Sequence, residues 1–206
     1  GTETTHKYNL KDPRDLDVAF RLQFFGGWTH SINGVQPNGT NAYANTNLIP
    51  SSILSANNIH LSYYSRTNSA VNTSTTMGAD SGGEYCRLII KRTSNIAYCF
   101  IGEPTIGLSA FTVANSRGLF IANAPNSITR ELYKNNTSLT ASSRSGLGTN
   151  GMSTTKVLLS ALNSPSSTAS EYDNKECAFA SIGDGLTDTE VANFYTAVQT
   201  FQTTLN

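Results

Sequence analysis

Charged residues are scarce in this sequence. They make up 14% of the 206 residues, and 14 Lys or Arg balance 14 Asp or Glu, against a usual share of about a quarter. Because the net charge is zero and there is no basic run, the electrostatic pattern of a nucleic-acid-binding protein is missing. No apolar run approaches membrane-spanning length. Solubility therefore depends on Asn, Ser, Thr and Gln, a surface that fits work outside the cytosol or on a particle exterior and is equally common in other β proteins.

Cysteines are also few, and their number is odd. Cys86, Cys99 and Cys177 show no repeated spacing, which argues against a disulfide framework. Cys86 and Cys99 flank a predicted hairpin, so a cross-strand bridge is one alternative, and buried thiols that behave as small hydrophobic groups are the other. Free thiols would fit a protein that folds in a reducing cytoplasm, even if it later works outside.

Apolar and polar residues alternate along most of the chain, which predicts an all-β body. Turn clusters rich in Asn, Gly, Ser and Thr separate about a dozen short segments, a pattern typical of a sandwich or barrel. The predicted strands are 18–25, 28–32, 42–45, 59–66, 85–92, 96–101, 117–122, 128–134, 138–141, 155–162 and 175–182. A single helical turn is predicted at 50–54, and a turn with positive φ at Asn135-Asn136.

The length and the lack of internal repeats favour one domain. Residues 1–15 are polar and predict an N-terminal arm, and residues 16–206 predict the domain itself. The sequence begins at Gly1 without an initiator methionine, so we expect it to be a processed or excised part of a longer protein.

The C-terminal residues change to a helical pattern. Thr187 and Glu190 stand at the spacing of a capping box, in which each side chain hydrogen-bonds the backbone of the other residue. Apolar residues then recur on one helical face, namely Val191, Phe194, Tyr195, Val198, Phe201 and Leu205. The pattern predicts one amphipathic helix, which we expect to pack at the edge of the β body.

Three passages in the C-terminal half resemble the concanavalin A-like lectin/glucanase superfamily in its laminin-G-like form. Residues 118–123 (GLFIAN) are similar to a glycine-led inner strand of that family. Residues 132–139 (LYKNNTSL) resemble its Y-x-N-G hairpin, with Asn136 in the glycine place. Residues 180–190 (ASIGDGLTDTE) resemble its final strand and the start of its helix.

In the N-terminal half, residues 15–22 and 36–44 resemble domains of bacteriophage tail and fibre proteins. The two resemblances together imply two curved antiparallel sheets packed face to face. Members of this superfamily often bind glycans, sometimes cleave them, and often serve only as rigid spacers.

Sugar binding calls for an exposed aromatic platform beside amide or guanidinium groups. One candidate group surrounds the single tryptophan and consists of Trp28, His30, Asn38, Asn41 and Tyr43. For Trp28, packing in the core is the alternative, because Trp is highly buried on average.

A second candidate group lies at the end of a predicted strand and consists of Tyr64, Arg66 and Asn68. Tyr64 and Arg66 share one strand face, which we expect to point to solvent. They could instead pair with a neighbouring strand or subunit.

Motifs for catalysis were not found, and no catalytic residue is predicted. Glycoside hydrolysis needs two carboxylates flanking the bond, but the E-x-D-x-x-E strand of the glucanases is missing, as are the R-x-E-x-R and Q-[IV]-H motifs of jelly-roll lyases. His30 and His60 are each expected to be structural strand residues, and no serine elbow accompanies them. We therefore expect a protein that is not an enzyme.

Metal binding has one weak candidate, and no cofactor is expected. Asp80 and Glu84 place two carboxylates around a Gly-Gly turn, and calcium prefers several such oxygen ligands. A polar hairpin loop is the interpretation that we favour.

The sequence thus predicts an antiparallel two-sheet β-sandwich of jelly-roll type with one C-terminal α-helix. The expected function is that of a non-catalytic phage virion or fibre domain, either a glycan-recognising attachment module or a structural one, on the virion surface after assembly in the host cytoplasm. Expected partners are a surface glycan or polysaccharide and other virion subunits, with a homotrimer as one arrangement, and neither nucleic acid nor membrane. The alternative is a carbohydrate-binding module of a secreted polysaccharide-degrading enzyme.

Overall fold

The structure is a computed structural model that describes residues 1–102, 109–144, 151–166 and 168–204. The strands, numbered in chain order, are β1 (Gln23–Phe25), β2 (Trp28–Ser31), β3 (Gly34–Pro37), β4 (Tyr43–Asn45), β5 (Ile59–Ser65), β6 (Met77–Asp80), β7 (Tyr85–Ile89), β8 (Ile96–Ile101), β9 (Ser109–Thr112), β10 (Gly118–Ala124), β11 (Glu131–Lys134), β12 (Thr137–Ser138), β13 (Ala141–Arg144), β14 (Leu158–Leu159), β15 (Leu162–Asn163), β16 (Ala169–Ser170) and β17 (Cys177–Gly183). The α-helices are α1 (Glu3–His6), α2 (Pro50–Ile53) and α3 (Asp188–Thr204). Over these residues, no helix is both long and apolar enough to cross a membrane.

The strands form two mainly antiparallel sheets. The smaller sheet has seven strands in the order β12-β11-β10-β5-β17-β3-β2. The larger sheet has ten strands along the path β1-β4-β14-β6-β7-β8-β9-β13, with β15 and β16 attached beside β6. The β15–β6 pairing is parallel. This architecture confirms the predicted jelly-roll β-sandwich with a C-terminal helix.

The core lies between the two sheets and follows the alternation seen in the sequence. On β5, Leu61 and Tyr63 are fully buried, and the register places Tyr63 opposite Phe120 of β10. The larger sheet adds Leu88 of β7 to the same cluster. Because successive strand residues point to opposite faces, Tyr64 lies on the outer face of the smaller sheet.

Helix α3 begins at the predicted capping box. The backbone N–H of Glu190 donates to Thr187 Oγ1 at 3.3 Å, and the N–H of Thr187 donates to Glu190 Oε2 at 2.8 Å. Both bonds satisfy donors that the first turn of a helix would otherwise leave open. The predicted start of the helix is confirmed.

The same helix packs across the outer face of the smaller sheet. Val191 and Val198 are buried in a second apolar cluster together with Leu119 and Ile121 of β10. The expected position at the edge of the β body is therefore wrong, because β10 carries apolar residues on both faces and its outer ones need cover. Leu205, the last residue of the predicted stripe, lies outside the described residues.

The substitution Thr187→Ala should lower the free energy of unfolding by about 1 kcal/mol, since it removes the capping hydroxyl. Urea unfolding would measure this loss. Thr200→Ala is the matched control, because Thr200 lies inside the same helix on its exposed side and Ala favours helix. Equal stability of the two variants would contradict the capping role.

The strand predicted at 18–25 is much shorter in the structure. Residues 17–19 form a 3₁₀ turn, Phe20 takes φ 55°, and Val18 is 74% exposed. Arg21 secures the turn through ion pairs with Asp15 at 2.6 Å and Asp17 at 2.8 Å. The alternating pattern therefore describes a strand only over β1.

Two backbone positions with positive φ decide further strand boundaries. Asn135 takes φ 59° in the turn between β11 and β12, as the Asn-Asn pair predicted. Ser160 takes φ 62° and divides the strand predicted at 155–162 into β14 and β15.

The three cysteines are buried free thiols. Cys86 pairs with Ile101 and Cys99 pairs with Leu88, so the two cysteines are diagonal neighbours rather than direct partners. Burial raises the pKa of Cys86 to about 12, and burial raises that of Cys177 to about 12 as well. Of the two alternatives, the thiols that behave as hydrophobic groups are present and the bridge is not.

The first residues of the chain bond to the segment that leads into β1. The carbonyl of Lys7 accepts from the backbone N–H of Leu22 at 2.7 Å, and Asn9 Nδ2 donates to the carbonyl of Ala19 at 3.0 Å. The division into an arm of residues 1–15 and a domain of residues 16–206 stays a prediction.

Candidate functional site

A cleft of about 380 Å³ opens beside β1 and β4 on the larger sheet. The segment that leads into β14 and the β15–β16 pair form its other side. Its lining residues are Phe25, Tyr43, Asn45, Ile49, Thr154, Thr155, Lys156, Leu158, Asn163 and Ala169. The lining thus combines an aromatic pair with amides, hydroxyls and one ammonium group.

The aromatic part of the cleft is a stacked pair. The rings of Phe25 and Tyr43 lie 4.9 Å apart with 14° between their planes, and Phe25 is 44% exposed. The β1–β4 register pairs Phe25 with Tyr43 and Phe24 with Ala44. Since Phe24 and Ala44 face the core, the period of two forces the other pair outward.

In the polar part of the cleft, one end of each asparagine amide is hydrogen-bonded to the backbone, and the other end is open to a ligand. Asn45 Oδ1 accepts from the backbone N–H of Asn47 at 2.9 Å, and Asn163 Nδ2 donates to the carbonyl of Lys156 at 2.8 Å. The amide nitrogen of Asn45 and the amide oxygen of Asn163 have no partner among the described residues. The same holds for the Tyr43 hydroxyl.

This arrangement suits a sugar ring. An aromatic face covers the apolar C–H side of the ring, and a few fixed amides and hydroxyls orient its hydroxyl groups. Among the lining residues there is no carboxylate and no histidine, and Lys156 and Tyr43 are the ionisable groups.

The first predicted group reaches the cleft through Tyr43 alone. Trp28 is half-buried against the core, and its Nε1 donates to the carbonyl of Phe25 at 3.0 Å. Asn38 Oδ1 accepts from three backbone N–H groups of the loop that follows it, and its Nδ2 donates to Asn41 Oδ1 at 2.7 Å. For Trp28, these contacts favour the alternative of packing against the core. The two asparagines fix the loop that leads to β4.

Two members of the second predicted group, Tyr64 and Arg66, lie under helix α3, and the third, Asn68, is exposed. Tyr64 packs in the apolar cluster beneath the helix, and Arg66 Nη2 donates to Gln202 Oε1 at 2.7 Å. Asn68 Oδ1 accepts from Lys91 Nζ at 3.2 Å. The expectation that Tyr64 and Arg66 face solvent is wrong, because the helix that covers the sheet also covers them. Ligand contact by this group stays a prediction, although Arg66 Nη2 and Asn68 Oδ1 already bond within the fold.

His60 is held inside the fold at the end of the smaller sheet. Its Nδ1 lies 2.6 Å from the carbonyl oxygen of Asp184, and its Nε2 lies 2.9 Å from Ser181 Oγ. The ring of Phe194 packs 5.6 Å from it. Burial lowers the pKa of His60. These contacts agree with the structural role expected for this histidine.

His30 forms a pair with His6 of helix α1. The two rings are stacked at 5.3 Å, and their Nδ1 atoms lie 3.0 Å apart, so one ring must donate and the other must accept. Burial lowers the pKa of both rings, and the charge of His30 lowers that of His6 further. The pair therefore fixes the first residues to β2 only while at least one ring is neutral.

Acidification should weaken this attachment. Because the pKa of each ring lies below its ordinary value of about 6.5 in the folded state, the stabilisation is complete above that pH and is lost as the pH falls below it. Between about pH 7.5 and about pH 5, the melting temperature should fall less for His6→Phe than for the wild type. Thermal melts at the two pH values measure this difference. His60 titrates in both proteins and is the internal control. An identical loss in both proteins would contradict the role of the pair.

The weak metal candidates form a closed hairpin loop. Asp80 Oδ1 accepts from the backbone N–H groups of Gly82 at 2.8 Å and Gly83 at 3.0 Å. Glu84 Oε2 accepts from Ser81 Oγ at 2.6 Å. In the described ranges, no three His, Cys, Asp or Glu side chains gather in a group that could hold a metal ion. The loop agrees with the polar hairpin that the sequence favoured.

The sequence did not identify most of the cleft. Phe25 could have been found, since Phe24-Phe25 in a strand must send one ring outward. Asn45, Lys156 and Asn163 come from different strands and loops, and no local spacing connects them. The fold alone brings them together.

No protein-family model matches the chain, and no curated protein matches it in sequence. Solved structures match it in fold. One is botulinum neurotoxin type C, described as interacting with two ganglioside molecules. The match has a TM-score of 0.57 and 11% identity, and it covers 87% of this chain and 47% of that chain. Another is the binding domain of botulinum neurotoxin serotype D/C. This match has a TM-score of 0.51 and 11% identity, and it covers 87% of this chain and 48% of that chain.

A third match is the Trypanosoma rangeli sialidase in complex with 2,3-difluorosialic acid. The TM-score is 0.52 with 11% identity over 88% of this chain and 30% of that chain. The chain thus spans about half of the neurotoxin chains and about a third of the sialidase. At these identities the likeness concerns the β-sandwich fold.

Proposed function

We propose that this chain is a non-catalytic glycan-recognising module of a phage virion or fibre protein. The observation that carries the proposal is the exposed Phe25–Tyr43 stack in a cleft whose other walls present amides and hydroxyls. A sugar ring would lie on the Phe25 face, and Asn45 and Asn163 would orient its hydroxyl groups. A location on the virion surface, contacts with other virion subunits and assembly as a homotrimer belong to the same proposal.

The comparisons support the glycan part of this proposal. Structures that share the fold include a neurotoxin described as interacting with gangliosides and a sialidase bound to a sialic acid derivative. The shallow cleft would give weak binding at a single site. Several copies on one particle would raise the overall strength, because the second contact becomes intramolecular.

Binding of the purified protein to an array of bacterial and algal polysaccharides tests the proposal. Phe25→Ala should weaken the strongest monovalent interaction at least about tenfold, because the ring buries its apolar face against the sugar. Ile128→Ala, which removes another exposed apolar side chain outside the cleft, is the matched control and should bind as the wild type does. Equal binding by both variants, or no binding by the folded wild type, would overturn the proposed function.

A carbohydrate-binding module of a secreted polysaccharide-degrading enzyme is the second candidate. The observation in its favour is that the same fold occurs as about a third of a sialidase chain. Peptides of this chain in purified virions would favour the virion protein, and a catalytic domain in the parent protein would favour the enzyme module.

A further inference from the structure

We infer that the cleft selects glycans that carry a carboxylate or sulfate group, and that Lys156 is the residue that makes this selection. The inference rests on the proposed function and concerns the class of glycan that the same cleft binds. Lys156 supplies the one charge among the lining residues. A neutral sugar would leave this charge unused, and an acidic sugar would pair with it.

The ammonium group of Lys156 is positioned by a neutral group. Its Nζ donates to Asn47 Oδ1 at 3.0 Å. Asn47 is itself fixed, because its Nδ2 donates to the carbonyl of Arg21 at 3.2 Å and its backbone takes φ 59°. An ammonium has three donors, so two remain for a ligand. The contact with Asn47 thus holds the charge in place without neutralising it.

Lys156 forms no ion pair with the described residues. Among the described residues, the ion pairs involve Lys7, Arg14, Arg21, Arg87, Arg92 and Lys175. Lys156 is in none of them. The charge at the cleft is therefore available, and its half-buried position makes an ion pair there stronger than one on the open surface.

The stacked rings and the ammonium together define the ligand. A sugar ring on Phe25 would place a charged substituent toward Lys156, and the amide of Asn163, which is bonded to the backbone of Lys156, would contact the neighbouring hydroxyl. Carboxylated and sulfated sugars share the negative charge that this geometry recognises. The experiment therefore has to distinguish a carboxylate from a sulfate as the source of that charge.

The test uses acidic polysaccharides from bacterial capsules and algae, each beside its neutral form. Carboxyl reduction removes the charge of uronic and sialic acids, and solvolysis removes sulfate, so the two arms identify the source. The wild type should bind the acidic form at least about tenfold more tightly than the neutral form, with weaker binding at higher salt. Lys156→Gln should lose this preference, and Lys156→Arg should keep it.

Lys11→Gln is the matched control, because it removes the same charge from an exposed lysine outside the cleft. Neutral forms that bind as tightly as acidic ones, or an unchanged preference in Lys156→Gln, would overturn the inference while Phe25→Ala still tests the proposed function. A folded wild type that binds neither form would overturn both.

Discussion

The substitution Asp173→Asn is expected to lower the free energy of unfolding by about 3–5 kcal/mol. Asp173 Oδ1 and Lys175 Nζ form an ion pair at 2.9 Å, and both side chains are 0% exposed. The Thr76 hydroxyl donates to the same carboxylate at 2.8 Å, and Lys175 Nζ also donates to the carbonyl of Lys91 at 3.2 Å. Asn would leave a buried ammonium without a counter-ion, which costs far more than the pair itself contributes.

Urea unfolding of Asp173→Asn, Lys175→Met and the double variant measures this effect. The double variant should recover part of the loss, because it no longer buries an unpaired charge. Asp12→Asn is the control, since it breaks the exposed pair with Arg14 and should change stability little. A loss below about 1 kcal/mol in Asp173→Asn would contradict the burial of this pair.

The second large effect is expected for Glu171→Gln, with a loss of about 3 kcal/mol or more. Glu171 Oε2 pairs with Arg87 Nη2 and lies 2.6 Å from Arg92 Nη2, and it accepts from the Thr75 hydroxyl at 3.0 Å. The Arg87 side chain is 0% exposed, and its Nε and Nη1 have no partner among the described residues. Burial lowers the pKa of Arg87 to about 10, although Glu171 acts against this change. Without the carboxylate, the buried guanidinium would have no ion-pair partner among the described residues.

Asp15→Asn gives a matched control for Glu171→Gln. Asp15 also accepts from two cations, Lys7 and Arg21, but its side chain is 46% exposed. Solvent screens such a pair, so this variant should unfold at nearly the wild-type denaturant concentration. Similar losses in the two variants would show that burial does not set the strength of the Glu171 network.

The fold could be predicted where local pattern and tertiary position agree. The alternation of Leu61 and Tyr63 on β5 is also the alternation of the core, and the Thr187–Glu190 box is a local signal whose two bonds need no tertiary contact. The prediction failed at Val18, because a hydrogen-bonded turn and the Arg21 ion pairs compete with the strand. It also failed for the helix position, since nothing near α3 in the sequence says that β10 is apolar on both faces.

The candidate site could be predicted only in part, for a physical reason. Tyr43 was found because it is aromatic and lies among turn residues, and it does line the cleft. Trp28 and Asn38 lie in an equally aromatic and amide-rich segment, but their polar groups bond to nearby backbone. The composition of the segment does not show these bonds. Lys156 and Asn163 are close to Tyr43 only because β14 pairs with β4, which is a long-range contact.

Shift mapping by NMR on the isotope-labelled protein, during titration with the tightest acidic glycan, tests the central claim most directly. We expect the largest changes at Phe25, Tyr43, Asn45, Lys156 and Asn163, and we expect them to disappear in Phe25→Ala. Changes centred on Tyr64 and Arg66 beneath α3, or no changes at saturating glycan, would contradict it.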